Sequence, residues 1–255
     1  MFESDNQQQH RFSVLSRVAH GFVDLLFPTI CAGCRERVGE VDRLCDGCLD
    51  ALPPQPENIC LRCGEVTAEV RDGCGRCLND PWRSDAVYCP FAYEGLIKDL
   101  IIGFKFGDHS EWAPLLAGLA WQRLSKALQW EEADAVMPIP LHWPRLIHRR
   151  FNQSALLARE LARYLDRPLV TSGLKRIKMT LPQTQLDLAG RIRNVKGAFR
   201  ADRRQVEGRS LLLVDDVMTT GATTAEAVAA LKKAGANRVA VVCLSRAGFK
   251  KDTPN

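Results

Sequence analysis

The stretch LLLVDDVMTTGAT, residues 211–223, joins an apolar run, two adjacent aspartates and a loop of small hydroxylated residues. The apolar run predicts a buried strand, and the following TTAEAVAALKKAG predicts a helix. Small residues let a backbone approach an anion, and a helix start presents N–H groups with partial positive charge. Three threonines add hydroxyl groups: Thr219, Thr220 and Thr223. The stretch therefore predicts a phosphate site, whose entrance holds Asp215 and Asp216.

The sequence lacks two common phosphate-binding motifs. No G-x-x-x-x-G-K-[ST] occurs, which argues against a P-loop nucleoside triphosphatase, and no G-x-G-x-x-G follows a strand, which argues against a dinucleotide-binding Rossmann site. A phosphoacceptor aspartate, as in a receiver domain, would leave the hydroxyl-rich loop without a role. The remaining interpretation places a sugar between the two carboxylates and the phosphate loop.

Alternating strand and helix signals begin at about residue 84. Apolar strands are predicted around 85–93, 133–140, 210–215 and 238–245, and helices at 95–104, 112–128, 153–165 and 223–234. Apolar strands separated by amphipathic helices indicate an α/β fold with a parallel sheet covered by helices on both faces. Ligands of such sheets bind beyond the carboxyl ends of the strands. We therefore expect the strand exits at residues 138–140 and 215–223 to converge on one crevice.

Eight of the ten cysteines form four CxxC pairs, and the pattern C-x2-C-x10-C-x2-C occurs twice with a constant offset of 29 residues. In a chain without a secretory signal, disulfides are disfavoured and CxxC pairs are typical of zinc knuckles. Four thiolates leave no open position for water, so the pattern predicts two structural Zn²⁺ ions. The sequential sets are Cys31, Cys34, Cys45 and Cys48, then Cys60, Cys63, Cys74 and Cys77.

The spacing leaves several alternatives open for this cysteine region. The CxxC pairs could cross between the two sets, hold an iron–sulfur cluster or act as redox dithiols. The arginines close to them could balance the thiolate charge or contact nucleic acid. Cys89 and Cys243 lie in apolar strand-like runs and are expected to be buried small hydrophobic residues.

Prolines punctuate the cysteine region and suggest three segments. These are an N-terminal amphipathic helix within residues 1–30, a double zinc ribbon at 31–82 and the α/β domain at 84–250. Apolar residues from Phe12 to Leu25 follow helical spacing and are expected to pack against the protein rather than a membrane. No basic secretory region and no run of about 18 apolar residues occurs, so the sequence predicts a cytoplasmic protein without a membrane span.

The composition, 46% hydrophobic and 25% charged, is that of an ordinary globular protein, and the formal net charge is +5. The basic residues concentrate between Lys175 and Arg209, where ten Lys or Arg face three acids, a balance of +7. Such a segment favours a polyanionic ligand nearby or forms a solvated basic face. We expect it to be a mobile segment, and no helix or strand is predicted within it.

At LLLVDDVMTTGAT the sequence resembles the type I phosphoribosyltransferases, whose motif for phosphoribosyl pyrophosphate (PRPP) is an apolar strand, two acids and a threonine-rich TGxT loop. More narrowly, the chain is similar to the ComF family of bacterial competence and DNA-utilization proteins. This resemblance covers the paired CxxC repeats and three further segments. They are YEGLIKDLIIGFKF at 93–106, PIPLHWPRLIHRRFNQSALLA at 138–158 and TQLDLAGRIRNVKGAF at 184–199.

The resemblance implies a type I phosphoribosyltransferase-like sheet in which Asp215 and Asp216 hold the ribose hydroxyls as the catalytic pair. It implies that the 5′-phosphate lies on Thr219, Thr220, Gly221, Ala222 and Thr223, and that the loop after Met137 faces the pyrophosphate, with Mg²⁺. Further candidates for PRPP binding are Arg149, Arg176, Lys178 and Arg191, of which the last three could equally be solvated surface cations. Fixed carboxylates would also stabilise the positive charge that develops on the ribose ring during displacement.

One position departs from the family pattern, because Arg150 stands where a glycine usually precedes FNQ. If this position needs a positive φ, the side chain costs about 1 kcal/mol or more. If it faces the pyrophosphate, the extra cation could help binding. The sequence leaves both interpretations open.

The sequence thus favours a PRPP-dependent phosphoribosyltransferase with an unknown nitrogen acceptor, acting in the uptake or utilization of DNA. The alternative is a non-catalytic factor that binds single-stranded DNA, and a third hypothesis makes the zinc module a docking surface for DNA-uptake proteins. Few aromatic residues lie among the basic ones, so no platform for base stacking is predicted.

Overall fold

A computed structural model describes residues 28–39, 43–56, 58–65, 67, 74–75, 77, 84–125, 133–180 and 188–247. Backbone contacts divide the chain into two compact units, Met1–Leu52 and Pro53–Asn255. The predicted N-terminal amphipathic helix lies outside the described residues. The first unit includes the first four-cysteine set and a short helix, α1 (Asp46–Asp50).

The second unit contains the remaining elements. In chain order they are β1 (Ala86–Tyr88), β2 (Phe91–Ala92), α2 (Gly95–Phe106), a 3-10 turn (Ser110–Trp112), α3 (Ala113–Leu124), β3 (Ala135–Pro138), α4 (Trp143–Arg149), α5 (Gln153–Leu165), β4 (Leu174–Arg176), α6 (Leu188–Val195), β5 (Phe199–Ala201), α7 (Arg203–Val206), β6 (Ser210–Met218), α8 (Ala222–Lys233) and β7 (Arg238–Arg246). The four predicted strands and four predicted helices of the α/β domain all occur in this list, with boundaries shifted by a few residues.

The central sheet is parallel throughout, with the strand order β1–β7–β6–β3. The short strand β2 also pairs with β7 and continues the line of β1. The sequence predicted one strand here, and the structure interrupts it at Pro90, because proline has no N–H to donate to a ladder. This order brings the ends of β3 and β6 to the same edge of the sheet.

Both faces of the sheet are covered, as predicted. Residues 211–214 of β6 are all buried, and successive side chains of a strand point to opposite faces. Leu211 and Leu213 belong to the same hydrophobic cluster as Val228 and Leu231 of α8. Helix α5 packs against β3 and β6 and also contacts α3. The α/β fold class predicted from the sequence is therefore confirmed.

The described residues of the basic segment between Lys175 and Arg209, 175–180 and 188–209, include two strands and two helices. Strands β4 and β5 pair antiparallel, and β5 and α6 pack against α8. The backbone N–H of Gly197 donates to Glu226 Oε1 at 2.7 Å, which fastens the turn after α6 to α8. No helix or strand was predicted here from the sequence, yet charge density alone does not exclude apolar contacts such as those of Phe199 and Val195, both buried.

The loop of the second four-cysteine set lies in the same compact unit as the sheet. The backbone N–H of Val87 donates to the carbonyl of Leu61 at 2.7 Å, and Ser84 Oγ donates to the carbonyl of Arg62 at 2.8 Å. Cys89 and Cys243 are buried, as predicted. Among the described residues, no helix is both long enough and apolar enough to cross a bilayer. The boundary near residue 82 between a zinc-ribbon module and the α/β domain stays a prediction.

Candidate functional site

Asp215 and Asp216 lie near the carboxyl end of β6, side by side in sequence. Asp216 is only 9% exposed. Asp215 Oδ1 accepts two hydrogen bonds, from the Ser154 hydroxyl at 3.0 Å and from the backbone N–H of Asp216 at 2.9 Å. Ser154 is itself buried in the first turn of α5. The Asp215 carboxylate is thus held in place by α5 and by the backbone of its neighbour.

Lys105 supplies the positive charge that faces this pair. Its Nζ lies 2.9 Å from Asp216 Oδ1, and the two side chains are 14% and 12% exposed. Lys105 lies in the last turn of α2, between the buried Phe104 and the exposed Phe106. Helix α2 therefore delivers an ammonium group to the end of β6, where two acids would otherwise repel each other in a poorly solvated site.

The pKa of Asp215 is raised. Burial is the main cause, the neighbouring Asp216 carboxylate adds to it, and together they raise the pKa of Asp215 to about 7 although Lys105 opposes the shift. A carboxyl group with such a pKa changes its charge near neutral pH. The site can therefore hold or release a proton at Asp215 under physiological conditions.

Residues 152–154, the NQS of the FNQS segment, join the carboxylates to the loop after β3. Asn152 caps α5 by accepting from the Ser154 N–H at 3.1 Å, and its amide donates to the Ile139 carbonyl at 3.1 Å. Gln153, which is 1% exposed, donates to the Lys105 carbonyl at 3.3 Å. Its Oε1 accepts from Arg149 Nη1 at 3.4 Å. One short segment thus orients Ser154 and Arg149 and connects them with Lys105 and the loop at Ile139.

The predicted phosphate loop directly follows β6 and ends at α8. Gly221 precedes the helix with a φ of 74°, a left-handed conformation that glycine adopts without strain. The Ala222 N–H lies 3.4 Å from Thr220 Oγ1, and Thr219 is exposed. The first N–H groups of a helix have no carbonyl partner within it and favour an anion. The geometry of residues 219–223 is therefore suited to a phosphate group.

A cleft of about 270 Å³ opens beside Lys105. Its lining combines three cations, one acid and two phenylalanines: Lys105, Phe106, Asp108, Arg149, Arg150 and Phe151. The Arg149 guanidinium lies over the Phe106 ring at 5.1 Å. Because Lys105 also contacts Asp216, this cationic cleft begins next to the carboxylate pair.

The other predicted cations lie on the basic segment and have partners of their own. Arg176, on β4, donates to Thr180 Oγ1 at 2.6 Å and lies over the Phe199 ring at 5.3 Å. Lys178 Nζ lies 3.5 Å from the Lys196 carbonyl. Arg191 is on α6, which packs against α8. Their role in PRPP binding stays a prediction.

The eight paired cysteines form two clusters in the sequential order predicted. In each cluster all four sulfurs lie within 4.8 Å of one another. The Sγ–Sγ distances include 3.8 Å for Cys31–Cys45 and 3.5 Å for Cys63–Cys74. Four sulfurs bound to a tetrahedral zinc at about 2.3 Å would be about 3.8 Å apart, whereas a disulfide needs about 2.05 Å. The residues therefore fit two Zn²⁺ ions, and crossed pairing is excluded.

The two zinc loops share their local geometry. Arg35 and Gly64, 29 residues apart, both follow a CxxC pair with positive φ, 67° and 69°. In each loop the N–H of the first cysteine, Cys31 or Cys60, donates at 2.7 Å to a carbonyl five residues later. Their surroundings differ, because all four cysteines of the second cluster are buried whereas Cys34 of the first is exposed. The repeat thus extends from sequence to backbone, and the second loop is built into the hydrophobic core of its own unit.

Two family models match this chain, one over the cysteine clusters and one over the carboxylate pair and phosphate loop. The family model for the double zinc ribbon domain matches residues 22–78, and the model for the phosphoribosyl transferase domain matches residues 151–254. The DNA utilization protein YhgH of Salmonella typhimurium is 36% identical over 208 residues, which cover 80% of this chain and 90% of that protein. The chain belongs to the ComF family.

Other members of the ComF family match over similar lengths. Competence protein F of Haemophilus influenzae is 32% identical over 209 residues, 80% of this chain and 90% of that protein. Competence protein ComFC of Bacillus subtilis is 27% identical over 191 residues, 71% of this chain and 75% of that protein. The similarity to these relatives therefore extends over most of the chain and is not limited to one of its two matched domains.

Sequence reasoning missed four residues that organise the site: Lys105, Asn152, Gln153 and Ser154. All lie in segments that carried the ComF resemblance, FKF at 104–106 and FNQS at 151–154. A lone lysine at the end of a helix gives no periodic or spacing signal. The one signal available was the polarity of FNQS, which places three polar residues at the start of a predicted amphipathic helix. Polar residues at such a position can cap the helix or face a site.

The structure decides the first of the two interpretations of Arg150, the one that concerns its backbone, and its role toward pyrophosphate stays a prediction. Its φ is 63°, so the position is left-handed, and its side chain lines the cleft and pairs with the carboxylate of Asp108. A left-handed conformation costs a non-glycine residue about 1–2 kcal/mol. The ion pair is largely exposed and offsets only about 0–1 kcal/mol of this cost.

We therefore predict that Arg150→Gly raises the free energy of unfolding by about 1 kcal/mol because it relieves the backbone strain. Arg150→Ala is the matched variant, since it removes the same cation but keeps the strain. Urea denaturation of both would check this. Equal stability of the two variants would contradict it.

The raised pKa of Asp215 predicts a pH-dependent cost to stability. The folded-state pKa of about 7 exceeds the ordinary value of 3.8, so ionisation opposes folding. This cost is absent below the unfolded-state pKa, grows as pH rises from about 4 to 7, and is complete above the folded-state pKa. Asp215→Asn should therefore gain more stability over the parent protein at pH 8 than at pH 5.

Urea denaturation at both pH values measures this difference. Asp166→Asn is the matched control, because Asp166 is largely accessible to solvent and has a φ of 50°, a conformation that asparagine tolerates. If Asp215→Asn gained the same free energy of unfolding at pH 5 and at pH 8, the pKa of Asp215 would not be raised in the folded protein, and the prediction would be wrong.

Proposed function

We propose that this ComF family protein binds PRPP with Mg²⁺ at the carboxyl edge of its sheet and transfers phosphoribose to a nitrogen acceptor. The observation that carries the proposal is that one strand end, at β6, joins a half-buried and a buried carboxylate to a left-handed glycine at the start of a helix. A sugar phosphate needs both features at this spacing, since hydroxyls prefer carboxylates and phosphate prefers a helix N-terminus.

The proposed site divides PRPP among three groups of residues. The 5′-phosphate lies on residues 219–223, as the resemblance to type I phosphoribosyltransferases implies. The ribose hydroxyls donate to Asp215 and Asp216. The pyrophosphate faces the cationic cleft, where Lys105, Arg149 and Arg150 supply positive charge. Mg²⁺, held mainly by ligand oxygens and water, would neutralise the pyrophosphate as it leaves.

The reaction breaks the bond between the anomeric carbon and the pyrophosphate oxygen and forms a bond from that carbon to the acceptor nitrogen. Pyrophosphate leaves with the electron pair, and the nitrogen loses its proton to solvent. Positive charge develops on the ribose ring in between. Two fixed carboxylates would stabilise that charge without reorganising, because Ser154 and Lys105 already hold them in place.

We place this activity in the cytoplasm, in the handling of DNA, because the relatives are called DNA utilization and competence proteins. In this proposal the predicted double zinc ribbon at 31–82 docks partner proteins. The predicted phosphoribosyltransferase-like domain at 84–250 carries out the catalysis. DNA-uptake proteins are the expected partners of the former.

Asp216→Asn is expected to weaken binding of PRPP with Mg²⁺ at least about tenfold, because a hydrogen bond to a charged group contributes about 1.5–3 kcal/mol. Isothermal titration calorimetry measures the affinity, and Asp166→Asn serves as the control. Release of pyrophosphate in a panel of amine and heterocyclic acceptors then tests transfer. If Asp216→Asn bound PRPP as tightly as Asp166→Asn, the proposal that Asp216 contacts the ribose would be wrong.

A second candidate function, binding of single-stranded DNA without catalysis, is favoured by two exposed aromatic residues, of which Phe106 lines the cleft. Phe106 and Trp143 are 69% and 66% exposed. Phe106 lies under Arg149, and Trp143 begins the helix that Arg149 ends. The sequence predicted no stacking platform, whereas an exposed ring beside guanidinium groups is suited to stacked bases and phosphates.

For this candidate, affinity for a labelled oligothymidylate should fall steeply with salt. Phe106→Ala should lower the affinity, since a stacked base contributes about 1–3 kcal/mol, and leave the salt slope unchanged. Fluorescence anisotropy at several salt concentrations measures both, with Tyr164→Ala, an exposed aromatic on α5, as the control. Affinity that does not change between low and moderate salt would remove the DNA hypothesis.

A further inference from the structure

Arg246 connects the second four-cysteine loop with the strand that leads into the phosphate loop. It is the last residue of β7, and its side chain is 1% exposed. Its Nη1 donates to the Cys63 carbonyl at 2.6 Å and lies 2.8 Å from Met218 Sδ. Its Nη2 pairs with the carboxylate of Glu65. One buried guanidinium therefore touches both the loop at Cys63–Glu65 and the end of β6.

The backbone around Arg246 holds the same point of β6. Arg246 and Met218 are partners in the parallel ladder, and the Ala247 N–H donates to the Met218 carbonyl at 2.8 Å. Met218 is the last residue of β6, so Thr219 of the phosphate loop follows it directly. Side chain and backbone thus fix the position from which the phosphate loop starts.

The second zinc loop fits closely against the sheet. A Cβ on Gly64 would lie 3.0 Å from Val87 Cγ1 and 3.4 Å from Cys89 Sγ, so only glycine fits there without displacement. The four cysteines of this cluster share a hydrophobic cluster with Met218. A loop that packs this tightly transmits a change in its own shape to its neighbours, because protein interiors are close-packed.

We propose that Arg246 is a positioning residue through which the metal-held loop at residues 60–65 orders the phosphate loop at residues 219–223. Zinc on the second four-cysteine cluster fixes the shape of residues 60–65, since a metal restrains its ligands in a way that four free thiols do not. The Cys63 carbonyl and the Glu65 carboxylate then fix the guanidinium against Met218. The first cluster, in the other compact unit, offers an internal comparison.

The coupling is reciprocal, because two sites that share one element change each other's affinity by the same factor. Ligand on the phosphate loop should therefore slow the loss of zinc from the second cluster. This effect of a ligand on zinc loss rests on the proposed function. The order of the phosphate loop and the retention of zinc can be measured without any ligand.

The test uses the full-length, zinc-loaded protein and the variants Glu65→Gln and Arg246→Met. Glu65→Gln is the milder change, because the Glu65 side chain is 32% exposed and glutamine keeps its shape. The matched control is Glu36→Gln, since Glu36 holds the equivalent place in the first loop, where its carbonyl accepts from the Cys31 N–H as that of Glu65 does from Cys60.

Hydrogen exchange of residues 217–224 is the main measurement, with residues 153–165 of α5 as the reference segment. Both variants at the second loop should speed exchange at 217–224 at least about fivefold and leave α5 unchanged. Chelator should extract zinc from the second cluster faster by a similar factor. Glu36→Gln should leave exchange at 217–224 as in the parent protein.

Two outcomes would overturn the proposal. One is unchanged exchange at 217–224 in Glu65→Gln, and the other is an equal rise in α5, which would mean general destabilisation. If the parent protein bound neither PRPP with Mg²⁺ nor inorganic phosphate, the proposed function would fail, and hydrogen exchange and zinc extraction would still decide the role of Arg246.

Discussion

The ion pair between Lys105 and Asp216 is the constraint around which the site is organised. Two adjacent carboxylates at the end of a buried strand repel each other and lose hydration, and both effects raise the pKa of Asp215. The ammonium group on α2 offsets part of this cost and fixes where α2 ends relative to β6. The same contact begins the cationic cleft, so the charge that stabilises the acids also defines where an anionic ligand would enter.

The α/β architecture could be predicted from the sequence because it depends on long apolar strands. Residues 211–214 and 239–244 are apolar at every position, and such runs belong to sheets buried on both faces. The antiparallel pair β4–β5 was missed, because its strands are three residues long and rich in arginine and lysine. Their pairing depends on Phe199 and on contacts with α8, which no local pattern contains.

The candidate site was predictable in part. The phosphate loop and the aspartates form one continuous motif, and the zinc ligands follow a fixed spacing, so both could be identified from local sequence. Lys105, Gln153 and Ser154 come from two other segments and meet Asp215 and Asp216 only through the packing of α2 and α5 on the sheet. The usual glycine at position 150 raised the question of whether the backbone there needs a positive φ. Only the structure showed that Arg150 adopts one.

The interruption of the outer strand at Pro90 has a consequence for self-association. A sheet edge with unpaired N–H and C=O groups is a template for another strand, and short interrupted edges that other segments cover resist this pairing. Here the edge of β1 and β2 is split by a residue that has no N–H, and the Val87 N–H is occupied by the Leu61 carbonyl. The loop that holds the second metal therefore also blocks one edge of the sheet, so metal loss would expose a surface prone to aggregation.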